Sequence, residues 1–524
     1  MRSSFARVRD RIGRSAYLSV PTTCVPKDLR MSALASSGPS AQQTTNRWLV
    51  LVLVCLAQFM VVLDATIVNV ALPSIQNDLH FTNANLAWVI NSYTLLFGGF
   101  LLLGGRAADL FGRKRVFLAG LVLFTVASLL CGLAQSQGML VAFRGLQGLG
   151  AALVSPAALS IVMTTFAEGA ERTKALAVWG AIAASGSAFG LLLGGVLTEA
   201  IAWPWVFIVN VPVGVAAFAL SLRLVPESRA EGAGRGFDAA GAVLVTGGLV
   251  ALVYAIVRAE SAGWGSATVL GFGALALVLL AAFVVVERVQ RQPLVRLGIF
   301  RTRTLSTANG AMVLIVSGMF ATFFFITIYV QRVLGYSPIE AGLAFLPFTA
   351  GIIAGSVCAQ QLIPRIGVKA QVMLGISLAA VGLLLMSRIT ADGSYVGQLL
   401  PAIIAMSLGM GNTFVPLTLL ATTNVGGADA GLASGLFNTS QQVGGALGLA
   451  ILSTLAASRT EHALEQLGHA PSPFEQAVAL VDGYHLGFWI GAAFMVAAVV
   501  AIVLLIRRRD VAHVNAEEAV QMAH

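Results

Sequence analysis

Long runs of apolar residues, broken at intervals by short polar or Gly/Pro-rich stretches, dominate the chain from residue 48 onward. A hydrocarbon core of about 30 Å needs about 20 apolar residues of helix, so each such run predicts one membrane-spanning helix. Fourteen runs qualify, at 48–72, 85–108, 115–136, 139–163, 174–198, 203–223, 239–258, 267–287, 305–331, 341–363, 370–389, 396–423, 433–457 and 486–506. The seventh and eighth are the weakest, because Arg258, Glu260 and Trp264 interrupt them; without that hairpin the count is twelve.

A weak internal echo orders these helices. DLFGRK (109–114) after the second run resembles PRIGVK (364–369) after the tenth, and GSAFGLLLGG (186–195) in the fifth resembles SQQVGGALG (440–448) in the thirteenth. The offset is eight spans rather than seven, as two six-helix halves separated by two inserted helices produce; chance likeness among Gly/Ala/Leu-rich helices is the other source of such echoes. The predicted organisation is an all-α integral membrane protein. It comprises a basic, disordered extension (1–47), a six-helix bundle (48–223), a linker with two extra helices (224–304), a second six-helix bundle (305–506) and a tail (507–524). Repeated-bundle folds of this kind hold substrate between the bundles near the midplane.

Composition agrees, with 57% hydrophobic and 10% charged residues against the roughly 25% charged of water-facing chains. The formal charge of +9 does not point to nucleic acid, because the bases sit in short runs between apolar stretches. Lys and Arg resist translocation. With the N-terminus inside, only Arg258, Arg332, Arg388 and Arg459 fall in external segments and Arg144 within the membrane. Both termini are therefore expected in the cytoplasm. The first 47 residues lack the apolar core of a secretory signal, and Met31 offers an alternative start.

Several chemistries are not signalled. There is no G-x-x-x-x-G-K-[ST] for ATP and no H-E-x-x-H. His462, His469 and His485 populate the expected external loop before the last span, where a solvated loop or a metal site is possible. Cys24, Cys55, Cys131 and Cys358 lack metal or disulfide spacing and read as core thiols. No cofactor, metal or enzymatic activity is expected.

Four sets of residues carry chemistry. A charge in hydrocarbon costs at least about 2.5–3.5 kcal/mol, so a retained one marks function by default; Asp64 in the first span and Arg144 in the fourth stand out. Their depths, roughly 6 and 10 Å to the external side of midplane at 1.5 Å per residue, allow contact. Desolvation disfavours the ionised form of a carboxylate and a guanidinium favours it, so a small displacement between the two loads or unloads a proton; a static ion pair is the other reading. The loop GGRAADLFGRKR (104–115) combines Asp109 with Arg113 and Lys114, and Gly105 and Gly112 permit a tight turn: a latch between helix ends, or a positive-inside anchor. Gly186, Gly190 and Gly194 line one helix face, with Gly195 beside them, for sliding or for tight packing. Asn69, Trp88, Tyr93, Gln147, Gln331 and Asn438 are candidate walls of a roomy cavity for amphipathic cargo.

These residues resemble the major facilitator superfamily, and within it the fourteen-spanner drug/proton antiporters. The similarity rests on LDATIVNVALP (63–73), GRAADLFGRK (105–114), FRGLQGLGAA (143–152), WPWVFIVNVPVG (203–214), YVQRVLGYSPIEAGLAFLP (329–347) and GLASGLFNTSQQVGGALG (431–448). Two departures stand out: the fifth span has Gly190–Leu191 where Gly-Pro is usual, and the loop has Ala107 and Leu110 where Leu and Arg are usual. The resemblance implies Asp64 as the proton-coupling acid, Arg144 as its partner, and Asp109 with Arg113 as the conformational latch. It further implies a monomer in a bacterial plasma membrane that exports hydrophobic or amphipathic compounds by alternating access; Asp64, as the one deep acid, predicts one coupled proton and neutral or monovalent cargo. Uptake of a nutrient or siderophore by symport, or a non-transporting receptor or scaffold, are the alternatives.

Overall fold

A computed structural model describes residues 46–166, 170–229, 238–290, 293–422, 425 and 430–511. The basic extension, apart from its last two residues, and the tail beyond residue 511 lie outside the described residues, as does Cys24.

Helices cross the bilayer because lipid offers no partner for backbone N–H and C=O groups. The first half contains α1 (Arg47–Leu79), α2 (Trp88–Phe111), α3 (Arg113–Gly132), α4 (Gln137–Thr165), α5 (Ala170–Ala200) and α6 (Trp205–Leu224, with a joint at Val209). The inserted pair is α7 (Ala239–Ala262) and α8 (Ala267–Val289). The second half contains α9 (Arg303–Ile328), α10 (Pro338–Ile366), α11 (Val368–Met386), α12 (Tyr395–Thr422), α13 (Ala430–Glu465) and α14 (Pro473–Leu505). Thirteen helices among the described residues are long and apolar enough to span a membrane. The remaining one, α5, is a 31-residue helix whose described apolar stretch is Phe189–Ala200.

Within the first half, α1 packs on α4, α5 and α6, and α4 lies between α2 and α3; in the second, α9 packs on α13 and α14, and α12 lies between α10 and α11. The α7–α8 hairpin leans on α2 and α13. There Leu95 joins Leu249, Val253, Ala446 and Ala450 in one buried cluster, and the Trp88 and Tyr254 rings lie 6.4 Å apart. The outer face of α8 stays exposed, with Leu277 at 71% and Val289 at 79%.

The echo between the loops has a structural counterpart. Gly112 (φ 110°) and Gly367 (φ 79°) both adopt positive φ, where a side chain is strained, and each starts the helix that follows. Lys114 Nζ then donates to Leu222 O at the end of α6 (2.8 Å), and Lys369 Nζ to Val503 O at the end of α14 (3.1 Å). A cation at each helix C-terminus satisfies orphan carbonyls and opposes the helix dipole. Pro364 stands where the first half has Asp109, so the carboxylate belongs to one loop alone.

Three expectations need correction. The expected long external loop before the last span is mostly helix: α13 runs on to Glu465, and α14 begins at Pro473 behind a capping box of Ser472 and Glu475. Charges at the end of a hydrophobic run mark where the helix leaves the hydrocarbon, not where it stops. His462 and His485 therefore lie on helices, with the His485 ring nitrogen Nε2 2.6 Å from Ile389 O. Cys358 is exposed on α10, whereas Cys55 and Cys131 are buried.

Candidate functional site

Asp64 and Arg144 meet inside the first half. Arg144 Nη1 donates to Asp64 Oδ2 at 2.6 Å, and the two side chains are 1% and 0% exposed. The charge pair is enclosed by further donors and acceptors rather than by hydrocarbon alone. Gln147 Nε2 and Asn210 Nδ2 donate to Asp64 Oδ1 at 2.7 and 2.8 Å. Arg144 also donates through Nε to Val89 O at 3.0 Å and through Nη1 to Gln147 Oε1 at 2.6 Å. Gln147 Nε2 reaches Ser128 Oγ as well, and that hydroxyl donates to Phe124 O. The guanidinium carbon lies 4.4 Å from the Tyr93 ring centre and 5.5 Å from that of Phe207, within cation–π range. Seven side chains from α1, α2, α3, α4 and α6 thus form one network: the Asp64 carboxylate, the Arg144 guanidinium, and Tyr93, Ser128, Gln147, Phe207 and Asn210 around them.

Helix geometry explains the convergence. Arg144 and Gln147 are three residues apart on α4 and so share a face. The joint at Val209 starts the second segment of α6 at Asn210, which turns its amide inward to Asp64. Tyr93 and Gln147, singled out as cavity walls, are buried parts of this network instead. Asn210 and Ser128 complete it; Asn210 lies within WPWVFIVNVPVG (203–214), whereas nothing in the sequence neighbourhood of Ser128 distinguishes it from other polar groups in the spans.

The α5 glycines border the same acid. A Cβ on Gly186 would meet Val62 at 3.2 Å, one on Gly190 would meet Leu63 O at 2.9 Å, and one on Gly194 would meet Ile67 O at 2.6 Å, so this face lies against the turns of α1 that carry Asp64. Gly195 turns the other way and abuts Pro338 and Ile339 of α10, in the opposite half. Around it, Ile339 N–H donates to Glu199 Oε2 (2.9 Å), Gln331 Nε2 to Val70 O (2.9 Å) and Arg332 Nη2 to Asn77 Oδ1 (2.8 Å). Gln331 is therefore a tie between halves. Trp88 packs on the inserted hairpin, Asn69 Nδ2 bonds to Ala65 O and Thr66 O of its own helix, and Asn438 Nδ2 bonds to Ser434 O at an exposed position.

In the loop after α2, Arg113 Nη2 donates to Asp109 Oδ1 at 3.0 Å, and Gly105 lies against Pro156 of α4. A carboxylate the loop motif does not contain, Glu227 after α6, accepts from Lys114 N–H at 3.2 Å and lies 3.6 Å from Arg115 Nε. Arg113 N–H donates to Ser228 O. The segment VPESR (225–229) thus packs against the loop, a contact the sequence did not signal. Gly112→Ala is expected to destabilise the protein by about 1–3 kcal/mol, because its Cβ would sit 2.6 Å from Glu227 Oε1 on a backbone at φ 110°. An unchanged thermal denaturation midpoint in detergent would refute this.

Comparison with known proteins now bears on identity. Residues 54–449 match the model of the Major Facilitator Superfamily. The chain is 42% identical to the puromycin resistance protein of Streptomyces alboniger over 494 residues (92% of this chain, 95% of that protein). It is also 42% identical to the cephamycin export protein of Amycolatopsis lactamdurans over 429 residues (81% and 88%). Among solved structures, a bacterial homologue of the lysosomal transporter Spinster, captured inward-facing and unoccupied, superposes with a TM-score of 0.61 at 16% identity, covering 89% of this chain and 98% of that one. The nucleoside transporter NupG gives 0.62 at 12% identity, covering 88% and 100%. This multi-pass membrane protein belongs to the major facilitator superfamily, and it is a transporter rather than an enzyme.

Proposed function

We propose that the chain is a proton-coupled antiporter that exports hydrophobic or amphipathic small molecules across the cell membrane, both termini facing the cytoplasm. The observation carrying this reading is the carboxylate of Asp64, fully buried and held by Arg144, Gln147 and Asn210. In this scheme Asp64 is the carrier of the coupled proton. On protonation its attraction to Arg144 falls, while the guanidinium keeps Val89 O, Gln147 Oε1 and the Tyr93 ring as partners. The change is delivered to α1 at residues 62–67, the turns against which the α5 glycines lie. A bearing surface of small residues lets α5 shift over α1, and Gly195 carries the shift to α10.

With the N-terminus inside, the ties through Glu199, Gln331 and Arg332 join the external ends of the halves, which supports closure of the present conformation toward the outside. Opening to the outside then requires these bonds to break. Inward proton movement is driven by about 2.3 kcal/mol per charge per 100 mV of membrane potential. One buried acid supports one coupled proton and neutral or monovalent cargo. Support for export of antibiotic-like compounds comes from the relatives named for puromycin resistance and cephamycin export.

Everted membrane vesicles test the direction. Acidified inside by respiration, vesicles carrying the protein are expected to accumulate puromycin or a lipophilic monocation and to discharge the pH gradient when it is added. A gradient untouched by every such compound, or accumulation only in right-side-out vesicles, refutes proton-coupled export.

A further inference from the structure

At the base of the inserted hairpin lies a pair of enclosed acids, remote in sequence from Asp64. Asp238 caps α7, its Oδ1 accepting from Gly241 N–H at 2.8 Å and its Oδ2 from Leu294 N–H at 3.3 Å. Glu287, in the last turn of α8, accepts from Val295 N–H through Oε2 at 2.9 Å. The two residues are 3% and 4% exposed. Glu287 Oε1 has no donor among the described residues. It converges with Asp238 Oδ2 on one side of Gly241, where a Cβ would lie 2.5 Å from the first oxygen and 2.7 Å from the second. Gly241 is what lets the two carboxyls come together.

Among the described residues, no cation pairs with either acid. The other ionisable groups on the elements that close around them are Arg106 and Asp109 on α2, Arg288 on α8, and Arg296, Arg301 and Arg303 leading into α9. Asp109 is engaged with Arg113, and Arg288, Arg296, Arg301 and Arg303 are exposed. Neighbouring packing is apolar: Val295 and Ile299 cluster with Phe283, Leu102 and Leu436.

Two enclosed carboxylates without a cation repel if both are ionised, whereas one proton between them removes a charge and supplies the donor that Glu287 Oε1 lacks. We propose that Asp238 and Glu287 form a proton-binding site, separate from Asp64, whose single shared proton ties α7 and α8 to the strap Pro293–Val295 that leads into α9. The strap is held through its Leu294 and Val295 amides, so it loosens when the proton leaves and the acids separate. The closed form binds one more proton than the open form; raising the pH therefore favours opening.

The full chain in lipid nanodiscs allows a test that does not depend on transport. The infrared C=O stretch of a protonated carboxyl at neutral pH is expected to lose intensity in Glu287→Gln, and that contribution is expected to persist in Asp64→Asn. In the unaltered protein, hydrogen exchange at the Leu294 and Val295 amides, corrected for intrinsic base catalysis, is expected to rise about tenfold per pH unit above the titration point. It should be flat in Glu287→Gln, whose amide donates in place of the proton. A spectrum unchanged by both Glu287→Gln and Asp238→Asn would overturn the proposal, as would pH-independent corrected exchange in the unaltered chain, a measurement that needs no variant.

Discussion

Asp64→Asn is expected to reduce proton-coupled export to the level of vesicles lacking the protein, while the chain still folds and inserts. Asparagine matches the size of the neutral acid and retains an oxygen for Gln147 Nε2 and Asn210 Nδ2. Arg144 keeps two other acceptors and the face of Tyr93, so the guanidinium is not stranded. What disappears is the ability to gain and lose a charge at that point on α1. Binding of substrate and exchange of one substrate molecule for another are expected to survive, since neither needs net proton movement. Full gradient-driven efflux from the variant would remove Asp64 from the coupling scheme; a misfolded variant would be recognised by its elution profile.

Arg144→Met is expected to have the larger effect on stability. It leaves Asp64 buried with hydrogen bonds but no countercharge, and it strips the donors from Val89 O and Gln147 Oε1. Breaking a buried pair on one side costs about 3–5 kcal/mol. Relief by protonation sets a similar figure, because neutralising an ordinary aspartate at pH 7 costs about 4 kcal/mol, less by about 1.4 kcal/mol for each unit the pH falls. The sign follows: the folded variant binds a proton that its unfolded chain does not, so its stability should recover on acidification. Adding Asp64→Asn should restore stability at neutral pH without restoring transport. Equal denaturation midpoints for Arg144→Met and the parent at neutral pH would mean that the pair is not the electrostatic unit described.

How far the site was legible in the chain depended on rarity. Asp64 and Arg144 stand out because charged residues in long apolar runs are few. The loop 104–115 stands out because an acid among four bases sits at an unavoidable turn. Ser128 carries no such mark, and Asn210, although within WPWVFIVNVPVG (203–214), was not tied to Asp64 by it, since a hydroxyl or amide in a membrane helix bonds equally well to its own backbone, as Thr94 and Asn309 do. Glu227 was separated from its loop by more than a hundred residues and by four helices. Gln147 and Tyr93 were visible as polar groups within spans, but whether they faced a cavity or a buried acid was not.

What the amino-acid order determined by itself was the set of helices, the fourfold spacing of Gly186, Gly190 and Gly194, and the two charges that hydrocarbon would not retain without a purpose. These are local consequences of transfer free energy and helical periodicity, written in consecutive residues. Only the tertiary structure decided that Arg144 faces Asp64 with Gln147 and Asn210 around it, that Gly195 turns toward α10 while its neighbours turn toward α1, and that Asp238 meets Glu287. Each of those depends on the rotation of one helix about its axis relative to another. Side-chain packing across the whole bundle sets that rotation, and a single helix does not encode it.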